Sequence, residues 1–506
     1  MVEDDAVMPP STGATTHRGR RRRTKRDAFP GSASWISSVI NLVNTIVGAG
    51  VLAMPLAIAH MGITLGVIVV IWSGIAAGFG LYLQARCAQY LDRGTASFFA
   101  LSQLTYPNAS VIFDAAIAIK CFGVGISYLI IIGDLMPGVV EGFAGSSPVS
   151  DFLVDRHFWI TAFMLIVIPL SFLRRLDSLK YTSVVALISI GYLVVLVVYH
   201  FTKGDTMVDR GPIRVIQWAG IAPALSSFPV IVFAYTCHQN MFSVLNEIND
   251  NSHFQTTSVV FTSIGSAASI YILVAITGYL SFGNSIGGNI VGMYPPSISA
   301  TIGRAAIVVL VMFSYPLQVH PCRASVDAVL KWIPSRTRNS NDVSPHRYPL
   351  LPRASRGPEP MSDLRFAAIT SSIIVLSFIA AMTVNSLEAV LAYVGSTGST
   401  SISFILPGLF YYKISSPDSP AHQQLMKEDD DEIAADDIIS DDENSGEDQQ
   451  QGLLSGSGIL SSSGILPTNR HLRKGLLRRL SLALAIYGVV VMVVCLGMNT
   501  FFHASK

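Results

Sequence analysis

The chain has 506 residues, of which 50% are hydrophobic and only 13% are charged. Soluble domains carry about 25% charged residues, so this much apolar surface has no aqueous core large enough to hold it. The composition excludes an ordinary soluble protein and indicates an integral membrane protein. The net charge of +1 conceals a basic run at 18–26 and an acidic run at 428–448, both outside the apolar segments.

A helix needs about 20 apolar residues to cross a bilayer core of about 30 Å, and this window finds eleven segments. In chain order they are Ile36–His60, Gly62–Arg86, Val111–Val140, Phe158–Leu173, Tyr181–His200, Pro223–Asn246, Thr256–Phe282, Ala300–His320, Phe366–Asn385, Leu387–Tyr412 and Leu480–Phe502. We therefore expect an all-α integral membrane protein with eleven transmembrane helices.

The distribution of Lys and Arg predicts the orientation, because these residues remain preferentially on the cytosolic side. With the N-terminus in the cytosol, that side receives the basic run, Arg86, Arg93, the loop "RRLDSLK" and the basic stretches before segments nine and eleven. Eleven crossings then leave the C-terminus on the luminal or extracellular side.

The segments between the helices predict the domain organisation. We expect a disordered basic leader at 1–33, a ten-helix core at 34–412, and a final segment at 479–506 that contains the eleventh helix. Two cytosolic loops, at 323–363 and 413–478, lack the apolar area needed to offset the entropy of ordering, so we expect both to be disordered. Ser440 and Ser445 in the acidic loop could accept phosphate from a regulatory kinase, although simple solvation also explains an acidic run.

The first segment contains "NTIVGAGVLAMP", whose two glycines lie near the midpoint of a crossing. Close packing of neighbouring helices is one explanation. However, Asn44 and Thr45 precede the glycines by one turn and Pro55 follows them. Non-helical backbone at membrane depth is tolerated only where it is buried in protein or lines a cavity, so the combination predicts an interrupted helix beside a cavity.

The sixth segment has a matching irregularity, five helices later. Pro223 and Pro229 are followed by an abruptly polar centre, "YTCHQN", at about the same depth as the glycine pair. Interrupted helices in corresponding positions of two halves are typical of secondary transporters built from inverted repeats. Segments one to five and six to ten would then form the two repeats, with the eleventh segment as an appendage.

Four motifs in this order resemble the amino acid/auxin permease family. They are "NLVNTIVGAGVLAMP", "IKCFGVGISYLIIIGDLMP", "VFAYTCHQNMFSVLNEIND" and "SYPLQVHPCRAS". The nearest branches are the sodium-coupled neutral amino acid transporters and the fungal vacuolar amino acid transporters. The resemblance covers about Ser34 to Tyr412 and the last helix. It implies a LeuT-like fold of eleven helices that moves an amino acid together with a proton or a sodium ion.

The two interruptions supply the expected substrate site. Free amides of the first interruption would bind the carboxylate of an amino acid, helped by the helix dipole. The facing side of the second would surround the amino group and the side chain, although aromatic residues there also suit a plain core. The predicted substrate residues are Thr45, Ile46, Gly48, Ala49, Gly50, Phe233, Tyr235 and Thr236.

The sequence leaves two candidates for the coupling ion, H⁺ and Na⁺, and no other cofactor or metal is expected. The resemblance places Asn44 and Ser314 at positions that hold sodium in the sodium-coupled relatives, although those relatives commonly carry Thr where Ser314 stands. His238 is the candidate for a proton route, and a histidine bonded to a nearby carbonyl is the alternative. Lys120 is expected to be a structural or gating anchor, and Glu247 an inner gate residue or a simple helix-end charge.

The function expected from these features is proton-coupled export of amino acids from a vacuole or lysosome-like compartment to the cytosol. Sodium-coupled uptake at the plasma membrane and a transporter-like amino acid sensor are the alternatives. No HExxH or GxSxG motif lies at membrane depth within the predicted segments, so an enzyme is not indicated. The expected partners are the amino acid and the lipid bilayer, and no nucleic acid.

Overall fold

The computed structural model describes residues 31–91, 93–145, 147–173, 180–208, 210–331, 361–420, 422–423 and 467–504. The basic run at 18–26, the loop residues 332–360, and Ser440 and Ser445 with the acidic run lie outside the described residues. The described part is helical and contains long apolar helices, as the composition predicts.

The helices of the transmembrane bundle follow the predicted segments closely. They are α1 (Trp35–Ile46), α2 (Gly50–Met61), α3 (Ile63–Ala88), α4 (Phe98–Thr105), α5 (Ser110–Ala144), α6 (Arg156–Ser171), α7 (Lys180–Lys203), α8 (Ile221–Ala234), α9 (His238–Glu247), α10 (His253–Phe282), α11 (Ile298–Lys331), α12 (Asp363–Thr383), α13 (Leu387–Val394), α14 (Leu406–Ile414) and α15 (Pro467–Ala504).

Nine helices of the described residues are long and apolar enough to cross a membrane, or ten when the bent pair α1 and α2 counts as one span. α6 is also apolar but has only 16 residues, which is short for a crossing. The all-helical membrane class is therefore confirmed, and the count of eleven spans remains a prediction.

Two predicted loop boundaries differ from the structure. α11 continues to Lys331, past the predicted start of the disordered loop at Arg323. The reason is that Arg323 is buried and bonded: its guanidinium donates to the Ser171 carbonyl oxygen at 3.2 Å and to Thr370 Oγ1 at 3.1 Å. α15 begins at Pro467, inside the acidic loop that was predicted to extend to residue 478.

A third irregular helix was missed by the sequence analysis. The tenth segment was predicted as a continuous helix, but α13 and α14 are joined by two π-helical stretches, Gly395–Ser399 and Ser401–Ile405. The stretch "GSTGSTS" supplies hydroxyls that bond to the backbone, such as Thr400 Oγ1 to the Gly395 carbonyl oxygen at 2.7 Å. These bonds compete with regular helical ones and widen the turns.

Candidate functional site

The first interruption separates α1 from α2 at residues 47–49. Val47 is extended, with φ −83° and ψ 95°, and the axes of the two helices differ by 58°. Ala49 precedes α2 without a side-chain cap, and the first turn is tight: the Val51 and Leu52 amides donate to the Gly48 and Ala49 carbonyl oxygens at 3.2 Å. The predicted interruption at Gly48 is confirmed.

The second interruption separates α8 from α9 at residues 235–237. Tyr235 has φ −83° and ψ 0°, and Cys237 has φ −125° and ψ 5°. The Thr236 amide donates to the Phe233 carbonyl oxygen at 3.0 Å in a tight final turn. α8 and α9 still form one span of 27 residues, so this interruption opens the hydrogen-bond ladder without a large bend. The predicted interruption near Tyr235 is also confirmed.

A tyrosine from a third helix joins the two interruptions. The Tyr271 hydroxyl of α10 lies 2.7 Å from the Ile46 carbonyl oxygen and 2.7 Å from the Ala234 carbonyl oxygen. These are the carbonyls at which α1 and α8 end, and Tyr271 is fully buried. The two interruptions therefore converge on one hydroxyl, and we call this meeting of Ile46, Ala234 and Tyr271 the junction.

Two contacts beside the junction hold the interrupted helices together. A Cβ built on Gly50 would lie 2.6 Å from the Ala234 Cβ, so the close approach of α2 to α8 requires a residue without a side chain. On the other side, the side-chain amide Nδ2 of Asn240 donates to Thr45 Oγ1 at 3.1 Å. The predicted substrate residues Thr45, Ile46 and Gly50 thus lie at or next to the junction.

A small apolar cavity of about 10 Å³ adjoins the first interruption. It is bounded by Gly48, Ala49, Val51 and Leu52 on one side and by Ile190, Leu193, Ile307, Leu310 and Val311 of α7 and α11 on the other. This volume suits about one water molecule and is far too small for an amino acid. This cavity alone therefore does not hold an amino acid in this conformation.

The three residues predicted from the second interruption are all buried. The Tyr235 ring packs edge-on against Tyr271, with centroids 5.2 Å apart. Its hydroxyl lies beside Gly74 of α3, and Tyr235 is not among the residues that line the cavity beside Gly48. Thr236 Oγ1 donates to the Val232 carbonyl oxygen at 2.9 Å. Phe233, Tyr235 and Thr236 keep their substrate roles as predictions.

His238 opens α9 and is bonded through both ring nitrogens. Nε2 lies 3.1 Å from the Ala77 carbonyl oxygen of α3, and Nδ1 lies 3.1 Å from Ser403 Oγ in the π-helical stretch. Because a carbonyl only accepts, the proton is on Nε2, and Nδ1 accepts from Ser403. A neutral imidazole therefore satisfies both contacts and links three helices. Its role in coupling stays a prediction, and the structure shows the carbonyl bond of the alternative explanation.

The two residues predicted to hold sodium lie on two different helices. Asn44 is on the last turn of α1, one residue before Thr45. Ser314 is on α11, and its hydroxyl donates to the Leu310 carbonyl oxygen of the same helix at 2.8 Å. Neither Asn44 nor Ser314 lines the cavity beside Gly48, and a hard cation bound by these two side chains would need further oxygen ligands.

The two charged candidates occupy different environments. Lys120 of α5 is 4% exposed, and a Cβ built on Gly398 would lie 2.7 Å from the Lys120 Cβ. It therefore packs tightly against the π-helical stretch. Glu247 has an exposed side chain at the end of α9, and its carbonyl accepts from the Ala33 amide at 2.9 Å. The role of Lys120 as a structural or gating anchor stays a prediction. The role of Glu247, as an inner gate residue or a simple helix-end charge, stays a prediction as well.

The sequence analysis missed a polar cluster at the end of the bundle where α2 ends. His60 Nδ1 of α2 lies 2.7 Å from Ser227 Oγ of α8. It also lies 3.6 Å from Glu388 Oε1 at the start of α13. α2 and α8, one half of each interrupted helix, are thereby tied to α13. His60 and Ser227 are 167 residues apart, and Ser227 Oγ also donates to Glu388 Oε1 at 3.4 Å across 161 residues, so no local pattern could have indicated this cluster.

Comparison with known sequences gives a consistent result. The profile of the family described as "Transmembrane amino acid transporter protein" matches residues 31–430. The chain is 46% identical over 404 residues to vacuolar amino acid transporter 5 of Schizosaccharomyces pombe, covering 79% of this chain and 90% of that protein. It is 42% identical over 410 residues to vacuolar amino acid transporter 6 of Saccharomyces cerevisiae, covering 76% and 90%.

More distant similarity extends to other proteins. The chain is 29% identical over 330 residues to sodium-coupled neutral amino acid transporter 7 of Danio rerio, covering 64% of this chain and 67% of that protein. Among solved structures, the crystal structure of MhsT in complex with L-phenylalanine aligns with a TM-score of 0.50 and 13% identity. The alignment covers 93% of this chain and 99% of that one, which indicates a shared fold.

Proposed function

This chain belongs to the transmembrane amino acid transporter family. From that premise we propose that it carries amino acids from the vacuole to the cytosol, without altering them chemically, by proton-coupled alternating access. The family consists of transporters rather than enzymes. The yeast relatives named as vacuolar transporters support the membrane assignment.

The observation that carries the proposal is the junction. Two helices from the two halves of the chain are interrupted, and the carbonyls at which they end meet at the Tyr271 hydroxyl. Main-chain groups released in this way inside a membrane bundle can bind a zwitterion, because amides bind the carboxylate and carbonyls bind the ammonium group. The predicted residues Thr45, Ile46 and Gly50 form one wall of this proposed site.

The finer architecture is part of the proposal. Eleven spans, arranged as two inverted five-helix repeats and one additional helix, place an interruption in the first helix of each repeat. The short α6 then counts as the fourth span. The N-terminus lies in the cytosol and the C-terminus in the lumen, as the Lys and Arg distribution predicts. A kinase acting on Ser440 or Ser445 would meet them on the cytosolic side.

Proton coupling is proposed over sodium coupling because Ser314 stands where the sodium-coupled relatives commonly carry Thr. Sodium-coupled uptake is the second candidate, because the chain also resembles a sodium-coupled transporter.

The test is uptake of radiolabelled amino acids into proteoliposomes that contain the purified full chain. A proton gradient should drive uptake, and a sodium gradient at equal pH should not. Gly48→Leu should abolish the flux while insertion is retained, because the leucine side chain would fill the proposed site. Flux driven only by sodium would support the second candidate. Substrate binding without flux in any gradient would instead indicate a sensor.

A further inference from the structure

At the junction, the single proton of the Tyr271 hydroxyl faces two carbonyl oxygens that could accept it. A phenol carries one proton, but the carbonyl oxygens of Ile46 and Ala234 both lie 2.7 Å from Tyr271 Oη. At any moment Tyr271 therefore donates to one carbonyl, and the other faces an oxygen without a proton between them.

The helices cannot supply the missing donor. α1 ends at Ile46 and α8 ends at Ala234, so neither carbonyl has a following helical turn whose amide would bond to it. The location is also buried, since Ile46, Ala234 and Tyr271 are 3%, 2% and 0% exposed. A buried acceptor without a donor is unfavourable, so the junction favours an additional group that carries N–H donors.

The Tyr271 ring is held so that its hydroxyl stays at this point. It packs edge-on against Tyr235, with centroids 5.2 Å apart and ring planes at 83°. Tyr235 is itself fixed by the turn that ends α8. Rotation of the Tyr271 hydroxyl proton between the two carbonyls thus requires no movement of the ring.

We infer that Tyr271 is a positioning residue of the substrate site. Its hydroxyl draws the two interrupted helices to one point and, with a single proton for two carbonyls, keeps one acceptor available for the ammonium group of the amino acid. An ammonium group suits this place because it carries three N–H donors and a positive charge. The inference rests on the proposed function and adds to it a residue from a helix that has no predicted substrate contact.

Tyr279 provides a matched control on the same helix. It is also fully buried, and its hydroxyl also has two partners: it donates to Asn284 Oδ1 at 2.9 Å and accepts from the Arg214 amide at 2.7 Å. Tyr279→Phe and Tyr271→Phe therefore remove the same group and the same number of contacts, but only Tyr271 lies at the junction.

The experiment measures the dissociation constant of amino acids for the full chain in lipid nanodiscs, from ligand-dependent thermal stabilisation, together with KM and maximal rate in proteoliposomes. Tyr271→Phe should weaken binding and raise KM at least tenfold, while Tyr279→Phe should stay within twofold of the wild type in both. Equal effects of the two variants, or unchanged binding in Tyr271→Phe, would overturn the inference. Because binding is measured without flux, a failure of the proposed transport activity remains distinguishable from a failure of this inference.

A second variant decides the matter if Tyr271→Phe does not reach the membrane. Tyr271→Gln brings an amide with two N–H donors, enough for both carbonyls. If the available acceptor matters, this variant should also bind amino acids at least tenfold more weakly. Wild-type affinity in Tyr271→Gln would overturn the inference.

Discussion

Gly50 and Ala234 face each other across the junction so closely that a Cβ on Gly50 would lie 2.6 Å from the Ala234 Cβ. This distance is well inside van der Waals contact, and the Ala234 Cα would be only 2.8 Å away. The two interrupted helices can therefore meet only if one of them contributes a glycine here.

Gly50→Ala should push α2 away from α8 and destabilise the protein by about 1–3 kcal/mol, the usual cost of overpacking. Transport should fall with it, because the carbonyls at the junction separate. Thermal unfolding of the purified chain and uptake measure the two effects. Gly48→Ala is the control for stability, since a Cβ there meets no atom within 4 Å. Wild-type stability in Gly50→Ala would show that the backbones are not held in contact.

Gly398→Ala should destabilise the bundle at the π-helical stretch. The added Cβ would lie 2.8 Å from the Lys120 backbone nitrogen and 2.9 Å from its Cα, and backbone atoms cannot rotate aside as a flexible side chain could. We expect a loss of about 1–3 kcal/mol, measured as a lower unfolding temperature. Gly191→Ala is the matched control, because its Cβ meets nothing within 4 Å. Equal unfolding temperatures for the two variants would contradict a tight contact between α5 and this stretch.

Arg323→Gln should lower stability much more than Arg365→Gln. The buried Arg323 guanidinium donates to Ser171 and Thr370 and lies 4.0 Å from the centroid of the Phe366 ring. Hydrogen bonds from a charged group contribute about 1.5–3 kcal/mol each. The Arg365 side chain is 35% exposed in its pair with Asp327, and such pairs contribute about 0–1 kcal/mol. Thermal unfolding that ranks the variants in the opposite order would contradict the assignment of Arg323 as an anchor.

Asp205, in the loop after α7, should make the stability of the folded protein depend on pH. Burial alone would raise the pKa of its carboxyl, but hydrogen bonds from His200 and Lys203 outweigh burial and hold the pKa below its ordinary value of 3.8. A lowered pKa contributes stability above the unfolded value, and the contribution is lost as pH falls through the folded value. Asp205→Asn should therefore be less stable than the wild type at neutral pH, and the difference should shrink well below pH 3.8. A difference that is constant across this range would contradict the contacts.

The interruptions were predictable because their causes are local. The glycine pair at Gly48 and Gly50 and the polar stretch after Phe233 break the apolar pattern in the sequence itself. The junction was not predictable in the same way. Tyr271 stands in an ordinary apolar helix, and its role follows from the packing of α10 against two helix ends that lie 225 and 37 residues away.

The other missed features have similar causes. His60 and Glu388 meet only because the bundle folds. The π-helical stretch depends on serine and threonine hydroxyls that could also have faced lipid or neighbouring helices within a regular helix. Arg323 looked like the start of a loop because charged residues usually leave the membrane. Its burial requires carbonyl and hydroxyl partners from α6 and α12, which the local sequence does not reveal.

The most direct test of the central claim, that the interrupted helices form the amino acid site, is substrate protection of a cysteine at Gly48. A Cβ at this position has open space around it, and the five native cysteines are all buried, so a small thiol reagent should react with Gly48→Cys selectively. We expect a transported amino acid to slow this reaction at least tenfold, and the same acid without its amino group to leave the rate unchanged. An equal reaction rate with and without the amino acid would contradict the account.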